Sequence, residues 1–247
     1  MNFPTIDDLV KWPSLSEGLF FNKIVLVDIL ALLMAVAFFL LANKKQLVPK
    51  GAQNLGESAI NFIDEGIIQQ TIGHGGRKYM PLLTTIFFFV FFTNIFEVVP
   101  VIAMPANARM ANPAFMALVV WLFFICVGLK AQGPKYFWNA IFIPGIPVAL
   151  HILTIPIEFI STFIVRPFSL AVRLFANMLA GHILLVTFAI LTLAMLGAGA
   201  VGIIGSALPF ATLVALTAFE VMVAFLQAYV FAILAAVYIG GAAHPEH

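Results

Sequence analysis

An arginine, a histidine and a glutamate lie inside the most apolar parts of this chain. Arg173 and His182 are the two ends of the segment RLFANMLAGH, and Glu220 lies in the last apolar segment. A guanidinium carries a fixed positive charge, and holding it at membrane depth costs roughly 2.5–3.5 kcal/mol on insertion scales and roughly 10 or more in simulations. Because a structural role rarely justifies that cost, we interpret Arg173 as part of an ion or proton pathway.

The helix that carries Arg173 is predicted to have two different functional faces. At about 100° per residue, His182 lies about 180° around the axis from Arg173. Small side chains near Arg173 would let another helix approach closely, although a tight contact within the chain would look similar. The residues on the Arg173 face are Arg166, Ser169, Ala176, Asn177 and Ala180.

Two polar residues of the last apolar segment share one face. Glu220 and Gln227 are seven residues apart, with Ala224 between them. A carboxyl group and an amide in an apolar environment need polar partners. His182 is the candidate partner for Glu220, because their two helices flank one turn. A structural pair is the alternative, but both side chains titrate readily, which favours a proton relay.

Three further polar residues are candidates. Glu158 lies fifteen residues before Arg173 and is predicted to line a wet cavity towards the cytoplasmic end. Asn94 and Glu97, followed by Pro100, end the second apolar segment, where an interfacial cap and a role in an aqueous entrance are both open. Cys126 is the only cysteine, no metal-ligand spacing is present, and we expect no cofactor or metal.

Composition predicts the elements that position these side chains. The chain is 63% hydrophobic and 9% charged, against about 45–50% and 25% in soluble domains. We therefore expect one all-α integral membrane domain over residues 1–247, and the net charge of +1 argues against nucleic-acid binding. Five membrane-crossing segments are predicted, at about 24–42, 80–96, 114–129, 136–196 and 207–239.

The last two segments are too long for upright helices. Residues 136–196 would extend roughly 90 Å as one helix, whereas the hydrocarbon layer is about 30 Å thick. Glycines 197, 199, 202 and 205, with Pro209, are predicted to form the turn into the last helix. The sequence therefore predicts a long helical hairpin over 136–243 that is strongly tilted.

One segment outside the spans is amphipathic. Ile60, Ile63 and Ile67 recur at helical spacing within residues 55–72, with acidic and amide residues between them. We predict an interfacial helix. Its acidic polar face is unsuited to anionic lipid, so we expect its apolar face to pack on protein.

The positive charges predict the orientation. If the first three spans alternate, the connections on one side carry seven Lys and Arg residues and those on the other carry three. The first side is therefore predicted to be cytoplasmic, with the N-terminal segment 1–23 external and the C-terminus cytoplasmic. The seven are Lys44, Lys45, Lys50, Arg77, Lys78, Lys130 and Lys135; the three are Lys11, Lys23 and Arg109.

Together these residues resemble subunit a of F-type ATP synthase, over most of the chain and most strongly from Pro156 onward. The segment RLFANMLAGH is highly specific for that family, and Glu220 and Gln227 fall at the expected place in the last helix. The segment from Asn94 to Pro100 is similar to the end of an earlier helix of the family. His182 with Glu220 is the arrangement of mitochondrial and alphaproteobacterial members.

Glu158 departs from the family pattern, because it lies one residue further from Arg173. A local bulge near Arg166 and Pro167 could absorb that residue.

The resemblance implies a proton-conducting stator subunit that is not an enzyme on its own. Its partners would be the oligomeric c-ring, which the 136–243 hairpin would face, peripheral-stalk b-type subunits, the rest of the complex and the lipid bilayer. Two offset half-channels are implied, with Arg173 between them. One, open to the outside, would be lined by His182, Glu220, Gln227 and Asn177; Glu158 would line the cytoplasmic one. A bacterial inner membrane is the expected location, with the mitochondrial inner membrane as the alternative.

The main alternative is a secondary transporter for a small anion that uses Arg173 as ligand. Such a protein would have internal repeats and paired broken helices, but the arginine motif occurs once. A purely structural membrane anchor would leave Arg173, His182 and Glu220 unexplained.

Overall fold

The structure is a computed structural model that describes residues 23–42, 50–99, 106–142, 148–197 and 199–243. Most of the predicted external segment and Lys44 and Lys45 lie outside the described residues. The described part is helical throughout, without strands. The helices are α1 (Lys23–Ala42), α2 (Ala52–Ile63, continued by a π turn at Asp64–Ile68 and by Gln69–Thr71), α3 (Met80–Val98), α4 (Ala111–Gln132), α5 (Lys135–Ile141), α6 (Val148–Ile160), α7 (Arg166–Leu196) and α8 (Ala200–Ala243).

Five helical segments are long and apolar enough to cross a membrane, as predicted. They are Ile24–Ala42, Gly75–Val98, Ala111–Gln132, Leu150–Leu196 and Val201–Ala243. Their ends follow local signals. Pro81 lies in the first turn of α3, where no helical partner for its missing N–H is needed. Gly133 ends α4 with a φ of 65°, a conformation that glycine adopts without steric cost. The prediction of an all-α polytopic membrane protein is confirmed.

The amphipathic segment packs on protein, as its acidic polar face predicts. Ile63, Ile67 and Ile68 are fully buried in the main core. The buried Asp64 carboxylate accepts hydrogen bonds from Nε and Nη2 of Arg77, at 3.1 and 2.9 Å. Arg77 lies in the short 3₁₀ helix His74–Tyr79 that leads into α3. The segment is therefore fixed to the span that follows it.

The predicted hairpin begins later than expected. A separate short helix, α5, ends at Ile141, and the long helix starts at Val148 rather than at Tyr136. The cause is local, because Phe142 is already extended and Pro144 and Pro147 disfavour helix in the residues before them. The two long apolar segments still contain 47 and 43 residues, about twice the 20 needed to span a bilayer. Helices of that length must lie at a large angle to the bilayer normal or bend.

A π turn joins α6 to α7 and supplies the bulge expected near Arg166. It covers Ser161–Val165 and ends two residues before Pro167. Because proline has no N–H and its ring crowds the carbonyl four residues earlier, it disfavours the regular hydrogen bond there. A wider turn removes that conflict and takes up one extra residue.

The turn between the long helices is shorter than predicted. Among the described residues of this turn, only Gly199 has a positive φ, of 80°. Helix α8 begins immediately after it and continues through Gly202, Gly205 and Pro209. Gly205 has a packing role, since a Cβ there would lie 2.6 Å from Cε of Met195 on α7. Gly202 and Gly205 thus belong to α8 and not to the turn, and Gly205 lies at the contact with α7.

The core is built around the second half of α8. Small residues on one face are fully buried, and they allow the backbones of neighbouring helices to approach closely. The side chains that fill the opposite side of the core come mainly from the Phe-rich helix α3 and from α4. The buried α8 residues are Ala224, Ala228, Phe231, Ala232, Ala235, Ala236 and Ile239.

Candidate functional site

Arg173 lies on an exposed face of α7 lined by small side chains. Ala176, Asn177 and Ala180 are exposed with it. Within the part of the chain that the structure describes, no hydrogen bond or ion pair joins the Arg173 guanidinium to another side chain. A cation on a long apolar helix, without a partner among the described residues, presents its charge to whatever packs on this face.

The exposed face is joined to α8 through two amides. Nδ2 of Asn177 donates a hydrogen bond to Oε1 of Gln227 at 2.9 Å. Asn177 is exposed, whereas Gln227 is 4% exposed. The bond therefore runs from the surface beside Arg173 into the contact between the long helices.

The opposite face of α7 carries His182 into a buried acidic environment. His182 is 6% exposed, and its Nδ1 lies 3.7 Å from Oε1 of Glu97 at the end of α3. That separation is an ion-pair distance rather than a hydrogen bond. Glu97 is thus buried where α3 meets α7. The sequence had suggested Glu220 as the partner, and the structure brings the carboxyl group of Glu97 to this histidine.

Glu220 is seated on the backbone of α7 beside His182. A Cβ on Gly181 would lie 2.6 Å from both Cδ and Oε1 of Glu220, and 2.7 Å from Oε2. No side chain larger than hydrogen fits at position 181 with the carboxyl group in this position. Gly181 was missed as a site residue, and its place between Ala180 and His182 in the motif was the available signal.

Several polar atoms of this cluster are buried without a hydrogen-bond partner among the described residues. Buried polar groups ordinarily have one, and bound water commonly supplies it where several such groups converge. The atoms are both carboxyl oxygens of Glu97, Oε2 of Glu220, Nδ2 of Asn94 and Nε2 of Gln227. They suit a hydrated environment within the helix bundle.

A chain of amides leads from this cluster towards α1. Nδ2 of Asn107 donates to Oδ1 of Asn94 at 2.6 Å and to Oγ1 of Thr93 at 3.0 Å. Nδ2 of Asn112 donates to Oδ1 of Asn107 at 2.9 Å and to Oδ1 of Asp28 at 3.0 Å. Sequence reasoning missed Asn107 and Asn112, although two asparagines so close together, just before α4 and in its first turn, were a visible signal.

Glu158 lies apart from this cluster, half-buried on α6. With one residue taken up by the π turn at Ser161–Val165, its spacing from Arg173 corresponds to fourteen residues of regular helix, or about 40° around the axis. Glu158 and Arg173 therefore follow similar faces of one helical path. Across the described residues, no group of three His, Cys, Asp or Glu side chains could hold a metal ion.

Comparison with known proteins assigns the family. The family model described as ATP synthase A chain matches residues 24–240. ATP synthase subunit a of Rhodococcus erythropolis is 42% identical over 98% of this chain and 90% of its own length. The subunit a of Frankia alni is 42% identical over 94% of this chain and 81% of its own length. That of the alphaproteobacterium Hyphomonas neptunium is 40% identical over 97% and 94%. The chain therefore belongs to the ATP synthase subunit a family.

Proposed function

We propose that this chain conducts protons through two offset half-channels beside the rotating c-ring of an F-type ATP synthase. Family membership supports a role in proton translocation by that complex. The observation that carries the finer proposal is the exposed Arg173, which lacks a hydrogen-bonded or ion-paired partner among the described residues. Such a cation on a face of small side chains fits an external carboxylate on a closely packed helix.

The half-channel open to the outside would be lined by His182, Glu220, Gln227 and Asn177, and we now add Glu97 to this set. His182 lies at ion-pair distance from Glu97, and Asn177 is hydrogen-bonded to Gln227. Titratable groups held this close suit proton transfer. The hydrogen bond that Asn177 donates to Gln227 links the Arg173 face to the buried cluster. We propose that protons reach the ring carboxylate by this route.

On the cytoplasmic side we propose that Glu158 lines the second half-channel. Its helical path reaches Arg173 through the π turn, and its side chain is half-buried. Arg173 would stand between the two half-channels, where it attracts the ionised ring carboxylate and its fixed charge blocks direct proton passage. Each proton crossing would be driven by about 2.3 kcal/mol per 100 mV of membrane potential.

We further propose that the chain acts only within the assembled complex, with the c-ring and peripheral-stalk b-type subunits as partners, in a bacterial inner membrane. Catalysis of ATP formation would take place in other subunits. The anion-transporter alternative requires the purified chain to move a substrate by itself. The stator function predicts that it does not.

Cysteine cross-linking tests the proposed contact with the ring. In a Cys126→Ser background, Ala176→Cys places a thiol on the exposed Arg173 face. We expect it to cross-link to a small subunit of two helices. Leu118→Cys is the matched control, because Leu118 is 49% exposed on α4, away from this face. Equal cross-linking at both positions, or none at position 176 in assembled complex, would contradict the proposed interface.

A further inference from the structure

A polar cavity of about 540 Å³ lies where the ends of several helices meet. Its lining combines the end of α4, the helix α5, the π turn and the end of α8. Among the lining residues are Gln132, Tyr136, Asn139, Thr162, Arg166 and Gly241. We call it the inner cavity, because the predicted orientation puts the connection between α4 and α5 in the cytoplasm. It is separate from the cluster of Glu97, His182 and Glu220.

The inner cavity contains a cation without a carboxylate partner. The Arg166 guanidinium lies 5.4 Å from the centroid of the Tyr238 ring, and none of the described acidic side chains forms an ion pair with it. No Asp or Glu is among the described lining residues. An arginine that is stacked on an aromatic ring keeps its donors in a fixed fork, which suits a phosphate or carboxylate group.

A buried hydroxyl group lines the same cavity. Thr162 is 3% exposed, and its Oγ1 has no hydrogen-bond partner among the described residues. It lies in the π turn, one turn before Arg166. A buried hydroxyl without a hydrogen-bond partner is unfavourable. A ligand oxygen would therefore satisfy a group that the described residues leave unpaired.

The other polar lining groups are also donors. Burial raises the pKa of the Tyr136 phenol, while the nearby charge of Arg166 acts in the opposite direction. The phenol is therefore neutral near pH 7 and can donate its proton. Nδ2 of Asn139 donates to Oε1 of Gln132, which fixes these two amides at the rim. Gly241 also lines the cavity, and a Cβ there would meet no atom within 4 Å.

We propose that the inner cavity binds an anionic phosphate group through Arg166, Thr162 and Tyr136. The group could belong to the headgroup of an anionic phospholipid or to free phosphate, which share this chemistry. Pockets of this kind at the cytoplasmic ends of membrane helices suit anionic headgroups. The proposal goes beyond proton conduction and does not depend on it.

A thiol reporter in the assembled complex tests the proposal. In a Cys126→Ser background, Gly241→Cys places a thiol in the cavity without steric conflict. The assay measures how fast a neutral maleimide modifies this chain within the complex. Separate reactions contain inorganic phosphate, short-chain phosphatidylglycerol or short-chain phosphatidylcholine. An occupant at about ten times its dissociation constant should slow modification by about tenfold. We expect protection by one or both anionic probes and none by phosphatidylcholine.

Variants identify the groups responsible. Arg166→Gln should abolish the protection. Thr162→Val keeps the shape of the side chain but loses the hydroxyl, and it should weaken the protection. This second variant tests the proposal even if Arg166→Gln prevents assembly. Lys78→Gln is the matched control, because Lys78 also lies over a tyrosine ring, at 4.9 Å from that of Tyr79, but outside the cavity. It should leave protection unchanged.

The probes also distinguish the two sources of phosphate. Protection by phosphatidylglycerol alone would assign the site to a lipid headgroup, and protection by inorganic phosphate would assign it to the free anion. Absence of protection by both probes, equal protection by phosphatidylcholine, or protection that persists in both Arg166→Gln and Thr162→Val would overturn the proposal.

Discussion

At the scale of single residues, charge and titratable groups occupy opposite sides of one helix. Arg173 is exposed on α7. His182 is buried on the far side beside Glu97, next to Gly181, which the Glu220 carboxyl group contacts. The bond between Asn177 and Gln227 connects the two sides. A fixed charge and a titratable cluster can therefore act on one proton path without forming an ion pair with each other.

The contact between the Glu220 carboxyl group and Gly181 gives the sharpest prediction at this scale. Gly181→Ala should push the carboxyl group away from His182, because the new Cβ would overlap it. We expect proton flux to fall about ten- to a hundredfold, since small misplacements of reacting groups can have effects of that size. ATP-driven proton pumping in inverted membrane vesicles measures the flux.

Gly205→Ala is the matched control for this change. Its Cβ would meet the flexible end of Met195 on α7 and no carboxyl group. Complex should assemble in both variants, and flux should remain near the parental rate in Gly205→Ala. If both variants lose flux equally, tight helix contact and not the position of Glu220 is what matters.

The second prediction concerns titration in the buried cluster. Glu220→Gln keeps the shape but cannot carry a proton, so flux should fall by about a hundredfold while the complex assembles. Glu97→Gln should also slow flux, because Glu97 lies 3.7 Å from His182. The double variant Glu97→Gln, Glu220→Gln should be slower than either single variant. Its loss of flux should be smaller than the product of the two single losses, because the two residues act together.

Exchange of His182 and Glu220 tests the same coupling from another side. The double variant His182→Glu, Glu220→His should retain more flux than either single change. Two results together would show that these residues act independently. The double exchange would retain no more flux than the worse single variant, and the losses caused by Glu97→Gln and Glu220→Gln would multiply.

At the scale of elements, the sequence predicted what depends on local pattern. Apolar length and helical periodicity were enough for the five spans, for the two faces around Arg173 and for the packing face of α2. Local sequence pattern does not show which side chains of distant helices come into contact. The approach of Glu97 to His182 depends on how α3 packs against α7, and the later glycines of α8 looked like turn residues because their helix neighbours were unknown.

The amide chain is the element-scale feature that joins α3 to the start of α4 and to α1. Asn107→Ala would remove the partner of Oδ1 of Asn94 and one of the two acceptors of Nδ2 of Asn112. A lost buried hydrogen bond costs roughly 1–3 kcal/mol. We expect a lower melting temperature of the purified complex and less of this chain in membranes.

Asn139→Ala provides the comparison. Its hydrogen bond to Gln132 is exposed, so water can replace the lost partner and stability should change little. Equal melting temperatures for Asn107→Ala and the parent complex would mean that the amide chain contributes nothing to the bundle.

At the scale of the whole molecule, the orientation in the membrane decides which of the two proposed half-channels faces which compartment. The two ends of α4 offer a direct measurement, because Ala111 and Lys130 are both exposed. In a Cys126→Ser background, Ala111→Cys should react with a membrane-impermeant maleimide added to intact cells, and Lys130→Cys should react only after the membrane is opened. The reverse pattern would invert the predicted topology.

The central claim is that Arg173 both attracts the ring carboxylate and keeps the half-channels separate. Arg173→Ala should assemble, because no described side chain forms an ion pair with Arg173. Arg173→Lys retains a charge but lacks the planar fork, and we expect it to be nearly as damaging to synthesis and less leaky than the alanine variant.

ATP synthesis driven by an imposed proton gradient, measured with passive proton leak in vesicles that contain assembled Arg173→Ala complex, tests this claim most directly. The account predicts no synthesis and a leak above that of the parent complex, since no fixed positive charge then blocks the direct path. Vesicles in which the assembled Arg173→Ala complex still couples proton flow to ATP synthesis would contradict it.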